Sequence, residues 1–309
     1  MKILVISSNL IGDTVLSTGV IQNFINKYPN SKLTIVIGPS AAQLYEHFPN
    51  LDKILIIKKK NFNMHWLEIY RKCFFKKWDI IIDFRSSLIS YILFHKGRYI
   101  FKKNNLSHHL NQLSTYFKFN CDNLKVYNSD KEIKEANTNI DKNKKYVVIC
   151  PGGNWKPKIW PVQNFNILIK KIKESYSSTK FIIVGSKLES EQYYNDVIKN
   201  LNKDDVINLM GKSLTLTSAY MKRSTLFIGN DSGLMHLSVA SKLSTIGLFG
   251  PTNDKIYSLD SFFGFYNKSD SLFHPSAEVT FDSENRKIEV LNLNGILKNT
   301  PFYSSYFKI

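Results

Sequence analysis

Cysteine is scarce in this chain. Cys73, Cys121 and Cys150 are its three thiols; none belongs to a CxxC pair and no His/Cys group falls at metal-ligand spacing, which argues against a disulfide framework and a zinc site. A reducing cytoplasm is the expected compartment. Long apolar runs are missing too. The opening Met1-Lys2-Ile3-Leu4-Val5-Ile6 turns polar at Ser7-Ser8-Asn9, too short a run for a signal peptide or a spanning helix, so a soluble or peripheral protein is expected. Repeats and low-complexity tracts are absent. Acidic residues are outnumbered: 42 Lys+Arg against 25 Asp+Glu give a net charge of +17. That excess calls for an anionic partner, whether nucleic acid, an acidic lipid surface or a phosphorylated substrate, and the sign alone does not choose among them.

What is present is a hydrophobic fraction of 43% over 309 residues, enough for one large or two ordinary cores. Short apolar runs at 2–7, 33–38, 54–57 and 79–83 read as buried parallel strands. Helical stretches at 14–27, 40–47 and 86–95 alternate with them, and a less regular basic region runs to about 145. The pattern then restarts. Strand-like runs at 145–150, 180–185, 206–209, 226–229 and 245–249 alternate with helical stretches at 162–175, 189–200, 214–222 and 233–241. The expected fold is α/β with two doubly wound, Rossmann-like domains, 1–143 and 144–309, joined by a polar hinge near 136–144 and facing a central cleft. In the first half the clusters Lys58-Lys59-Lys60, Lys76-Lys77 and Lys102-Lys103 lie near Phe62, Trp66, Phe74, Phe75, Trp78, Tyr99 and Phe101. The mixture suits an interfacial anchor, or equally the solvated loops of a lysine-rich protein.

Ligands of such sheets bind beyond the carboxyl ends of the strands, which directs attention to the turns. The first, Ser7 to Thr14, carries Gly12 and Asp13 at the start of a helix. Asp13 can be read as a helix cap or as a general base. The turn lacks both G-x-G-x-x-G and the P-loop pattern. The second, Pro151-Gly152-Gly153-Asn154-Trp155-Lys156-Pro157-Lys158-Ile159-Trp160-Pro161, combines glycines that permit close backbone approach with lysines that reach a diphosphate as point charges. Trp155 and Trp160 are candidate walls, and a structural loop with solvated lysines is the alternative. The third, Ile228-Gly229-Asn230-Asp231-Ser232-Gly233-Leu234-Met235-His236, opens a helix whose N-terminal amides and dipole favour an anion. His236 is a satisfied structural residue or a donor to phosphate. Leu248-Phe249-Gly250-Pro251-Thr252-Asn253 is a candidate pocket rim.

Ile11-Gly12-Asp13, the 151–161 block, Gly229 to Leu237 and Phe249-Gly-Pro-Thr252 together resemble glycosyltransferase family 9, the ADP-heptose:lipopolysaccharide heptosyltransferases, in order and spacing across most of the chain. The resemblance implies the GT-B fold and an inverting, metal-independent transfer of a sugar, expected to be heptose from ADP-heptose, to a lipopolysaccharide core or other lipid-linked acceptor. Asp13 corresponds to the base, Lys158 to a phosphate-binding lysine, and Asp231, Ser232, Gly233 and His236 to the donor diphosphate and sugar site. Glu189 matches a carboxylate on the nucleotide ribose, Met210, Lys212 and Ser213 fall at the adenine contacts, and Gly12, Gly153 and Asn154 line the pocket. The chain departs from the family at 83–88 and at Gly19, where a proline is usual. A leaving diphosphate needs positive charge, and without a D-x-D motif near a strand end Lys158 and helix-end amides would supply it. No cofactor, metal, nucleic acid or dedicated protein partner is expected, and the site of action is the inner face of the cytoplasmic membrane.

Two other enzymes fit the architecture: a transferase for a different nucleotide sugar, and a sugar-nucleotide epimerase, which would convert its donor without an acceptor. From other classes come a basic nucleic-acid-binding protein, supported by charge but by no recognisable motif, and a catalytically silent scaffold.

Overall fold

The computed structural model describes residues 1–58, 64–104, 106–199, 201–249, 279–282 and 287–290. The chain divides into two compact units, Met1–Glu132 and Ile133–Ile309, each built on its own five-stranded parallel sheet.

The first unit runs β1 (Lys2–Ile6), α1 (Ile11–Lys27), β2 (Lys32–Ile37), a short 3-10 turn (Ala42–Tyr45), β3 (Leu51–Ile56), α2 (Met64–Cys73), β4 (Trp78–Asp83), α3 (Ile89–Ile92), β5 (His95–Ile100) and α4 (His109–Phe117). Its strand order is β3-β2-β1-β4-β5. β1 lies at the centre, with Ile3 aligned to Leu33 on one side and Ile80 on the other. Its Ile3, Leu4, Val5 and Ile6 have no exposure, because a central parallel strand is covered on both faces and needs no polar alternation.

α1 is buried without a break from Thr14 to Gln22. The segment 120–127 lies against it. Asn23 donates to Asn120 O at 2.9 Å, the Lys125 amide to Thr18 Oγ1 at 3.1 Å, and the Tyr127 hydroxyl to Gln22 Oε1 at 2.6 Å. Gly19 makes this approach possible: a Cβ there would stand 1.9 Å from the Cys121 carbonyl oxygen.

The division between the units falls within α5 (Asp130–Asn139). Then come β6 (Tyr146–Cys150), α6 (Val162–Ser175), β7 (Lys180–Ile183), α7 (Lys187–Val197), β8 (Val206–Asn208), α8 (Leu214–Met221), β9 (Leu226–Asn230), α9 (Gly233–Ala240) and β10 (Thr245–Leu248). The order β10-β9-β6-β7-β8 repeats the first sheet's winding, and β11 (Val279–Asp282) pairs antiparallel with β12 (Lys287–Val290). In both sheets the chain starts in the middle, winds to one edge and returns to the other side of the first strand. The switch points, β1 beside β4 and β6 beside β9, are where loops diverge and ligands of such sheets lodge.

Several expectations change. The helical stretch at 86–95 contracts to the single turn α3, and His95 already begins β5. The stretch at 40–47 is a 3-10 turn. The region expected to be irregular contains α4 and α5, and 64–73 forms α2.

Candidate functional site

At the switch point of the second sheet, two loops that are far apart in sequence are joined by one side chain. Asn230, the last residue of β9, is wholly buried. Its amide donates to the carbonyls of Pro151 at 2.9 Å and Gly152 at 3.1 Å, and its Oδ1 accepts from the Trp160 amide at 3.0 Å. The 151–161 loop is thereby fixed to the mouth of α9. Gly229 permits the close approach of the strands beneath, since a Cβ there would lie 2.6 Å from Cys150 Cβ.

On this platform Lys158 Nζ meets Asp231 Oδ2 at 2.7 Å. The lysine side chain is 24% exposed and the carboxylate 5%, so one charge is buried and the other stands at the surface. Ser232 precedes α9 in extended conformation and does not cap the helix with its side chain. Gly233 opens the helix and His236, buried one turn in, follows. The structure therefore brings Lys158, Asp231, Ser232 and Gly233 together. Gly153 is half-buried, and Asn154 and Lys156 are exposed on the same loop. Trp155 is half exposed, with Lys158 Nζ 6.0 Å from its ring centre. Trp160 is not a pocket wall: it packs edge-on against Phe165 at 4.9 Å in the core, because the Asn230 clasp turns that end of the loop inward. Of the candidate rim, residues 250–253 lie outside the described residues.

A second group lies at the ends of β7 and β8. Glu189 and Ser186 form a capping box on α7: the Ser186 amide donates to Glu189 Oε2 at 2.6 Å and the Glu189 amide to Ser186 Oγ at 3.2 Å. The same carboxylate crowds Gly152 and Gly185, where a Cβ would stand 2.2 Å and 3.1 Å from its two oxygens. Met210 is buried, with its methyl over Gly185. Gly211 adopts φ +77, a left-handed conformation that favours glycine, and its amide donates to Gly185 O at 2.8 Å. Lys212 is exposed, and Ser213 caps α8 by accepting from the Leu216 amide. Burial, reinforced by the Glu189 charge, pushes the Cys150 thiol up to about 12, which keeps it protonated and unreactive.

In the first unit Asp13 sits in the first turn of α1, two residues after Ile11. It is not the helix cap: that position is Leu10, which offers no side-chain bond. Asp13 Oδ1 instead takes the Lys103 ammonium at 2.9 Å, with His109 Nδ1 at 3.6 Å from the same oxygen. Its Oδ2 accepts a long bond from Ser8 Oγ at 3.5 Å. His109 is buried and stacks on Phe101 at 5.8 Å. The buried Tyr45 hydroxyl lies 3.3 Å from Ser7 Oγ and 3.2 Å from Ser17 Oγ, tying the exit of β1 to α1. Neither Lys103 nor His109 was singled out as a site residue from the sequence. The available signal was the Lys102-Lys103 pair, which lies just past the carboxyl end of β5. Among the described residues no three His, Cys, Asp or Glu side chains cluster so as to hold a metal ion, and no helix is long and apolar enough to cross a membrane.

A family model described as glycosyltransferase family 9 (heptosyltransferase) matches residues 110–272. The chain is 28% identical over 266 residues to lipooligosaccharide heptosyltransferase 2 of Campylobacter jejuni serotype O:6, covering 82% of each. Among solved structures it resembles the glycosyl transferase family 9 protein of Veillonella parvula, with a TM-score of 0.70 and 20% identity, covering 83% of this chain and 82% of that one. It also resembles the E. coli heptosyltransferase WaaC with ADP, with a TM-score of 0.66 and 15% identity, covering 83% and 90%. At these identities the structural likeness shows the fold, which is GT-B with two Rossmann-like units.

Proposed function

Because the chain belongs to glycosyltransferase family 9, the heptosyltransferases, we propose that it transfers heptose from ADP-heptose to the core of a lipopolysaccharide acceptor, by an inverting, metal-independent displacement. The observation that carries this reading is the Lys158–Asp231 pair at the switch point of the second sheet, beside the start of α9.

A sugar diphosphate leaves with its negative charge increasing, and fixed positive groups aimed at that charge lower the barrier most. Lys158 is one such group, held in place by a buried carboxylate. The first amides of α9, which Ser232 does not occupy with its side chain, are the other. Asp231 fixes the lysine through Oδ2 and stands with it on the donor's sugar side. Glu189 holds the ribose, while Met210, Lys212 and Ser213 flank the adenine. The ADP found with a structural relative is consistent with that nucleotide.

In the transfer the acceptor oxygen attacks the anomeric carbon, the bond from that carbon to the diphosphate oxygen breaks, and its electron pair leaves with ADP. The acceptor proton passes to Asp13. Lys103 engages Oδ1, so Oδ2, with its long Ser8 contact, is the oxygen that takes the proton. Attack opposite the leaving group inverts the anomeric centre.

The test is incubation with ADP-, GDP- and UDP-sugars and truncated lipopolysaccharide cores, read by mass spectrometry, with chelator present and the product's anomeric configuration read by NMR. A mass gain of one heptose, dependent on ADP-heptose and on acceptor, is expected. Conversion of a donor without acceptor would identify an epimerase, and transfer from another nucleotide sugar alone would rule out the ADP-heptose assignment.

A further inference from the structure

Among the described residues, the large apolar side chains that stand in solvent lie mostly in the first unit. Within 75–94 Phe75 is 90% exposed, Leu88 81%, and Tyr91, Ile92 and Phe94 57% each. These residues form one strip. α2 packs against α3, and the half-buried Phe74 ring lies 5.3 Å from Phe75 and 5.2 Å from Phe94. The strip runs from Leu88, just past the carboxyl end of β4, along α3 to Phe94, whose carbonyl accepts from the Trp78 amide at the strand's amino end.

Folding does not require this exposure. α3 is anchored from within by Ile89 and Leu93, which are buried in the cluster formed by Leu4, Ile6 and Ile81. Its outward positions could be polar without loss to that core, yet they are leucine, tyrosine, isoleucine and phenylalanine. An apolar patch of this kind on a charged surface marks a contact.

The charge around it identifies the contact. The half-buried Glu68 is paired to Lys72 at 2.6 Å and the half-buried Asp79 to Lys96 at 2.8 Å, so both carboxylates are already matched by a lysine. Arg71, Lys77 and Arg98 stand exposed beside the strip, and the Arg98 guanidinium lies 4.3 Å from the Tyr91 ring centre. Protein–protein interfaces are depleted in lysine at their cores. Aromatic rings with a fringe of lysine and arginine fit the headgroup region of an acidic leaflet, where the rings enter the apolar boundary and the cations meet phosphates.

We propose that the strip formed by Phe75, Leu88, Tyr91, Ile92 and Phe94, with Arg71, Lys77 and Arg98 at its margin, docks the first unit on an anionic lipid bilayer. The docking needs no donor and no catalysis, so it stands or falls separately from the transferase reading.

The experiment is flotation of the purified full chain with vesicles of phosphatidylcholine alone or with about 30% phosphatidylglycerol. Binding to the acidic vesicles is expected to be at least tenfold stronger at about 0.1 M salt and to weaken as salt shortens the screening length. Combining Phe75→Ser, Leu88→Ser and Phe94→Ser is expected to lower vesicle affinity at least tenfold. Combining Arg71→Gln, Lys77→Gln and Arg98→Gln is expected to lower it about a hundredfold, at about fivefold per basic side chain. Both variants should keep the native circular dichroism spectrum and turnover on a lipid-free acceptor fragment, and a control carrying Ile167→Ser and Leu188→Ser on the second unit should bind as the parent does. Equal binding to neutral vesicles, or undiminished binding by the Phe75 and Arg71 series, overturns the proposal. So does concentration-dependent self-association that the same substitutions abolish while vesicles go unbound, which would make the strip a dimer contact.

Discussion

Gly152→Ala offers a test of the second unit's site that can be worked out from distances. A Cβ on residue 152 would lie 2.2 Å from Glu189 Oε1, 2.3 Å from Cδ and 2.8 Å from Cγ, well inside the roughly 3.5 Å at which carbon atoms rest against each other. Glu189 ends a flexible side chain, and an unrestrained carboxylate would swing aside at little cost. This one is restrained, because its other oxygen accepts from the Ser186 amide at 2.6 Å. Moving it opens the carboxylate half of the capping box on α7, which costs about 1 kcal/mol, less than the roughly 3 kcal/mol of a collision with backbone. Urea unfolding should show a loss of about 1 kcal/mol for Gly152→Ala in the native background. In a Glu189→Ala background the same change should cost almost nothing, giving a coupling energy of about 1 kcal/mol. ADP binding by calorimetry should weaken about tenfold alongside, as expected if Glu189 holds the ribose. An equal cost for the alanine in both backgrounds would refute the claim that Glu189 is what the residue at 152 must avoid.

Three further outcomes are expected. Asp13→Ala should lower transfer by a factor of about 100 to 10000 while ADP affinity stays within about twofold; near-parental turnover would remove Asp13 from the role of base. Lys158→Ala should weaken ADP binding and turnover together and destabilise the protein by about 2 kcal/mol, because the buried Asp231 carboxylate loses its partner. Adding Asp231→Asn should restore stability but not binding. Alkaline pH should destabilise the chain: burial raises Cys150 to about 12 and Cys73 and Cys121 to about 11, from 9.0. Their contribution is full below pH 9 and is lost as pH rises toward 11–12. An unchanged urea midpoint between pH 8 and 10.5 would contradict this, as would rapid alkylation of the native thiols at pH 8.

The central strands were legible because burial on both faces writes them as unbroken apolar runs: Ile3 to Ile6 and Tyr146 to Cys150 need no tertiary knowledge to be read. β5 was not, since His95, Lys96 and Arg98 on an edge strand interrupt any apolar signal, and its turn of α3 was absorbed into a longer helix. The loops that carry glycine, lysine and aspartate stood out locally, and so did the Asp13 turn. The partners of Asp13 did not. Lys103 and His109 reach it across some ninety residues, and a contact made by sheet topology leaves no mark in spacing. The clasp made by Asn230 was hidden in the same way, and with it the inward turn of Trp160 that made a wall residue of the sequence into a core residue of the fold.

Among the described residues the two sheets share one winding order and exchange no strand, and the five described strands of the first end at Ile100. Every described strand of the first sheet has therefore been synthesised before β6 begins. A chain laid out this way can settle its leading half on the ribosome while the trailing half is still being translated. The long-range pairing that makes parallel sheets slow to form is then confined to two separate problems, each about half the size of the whole.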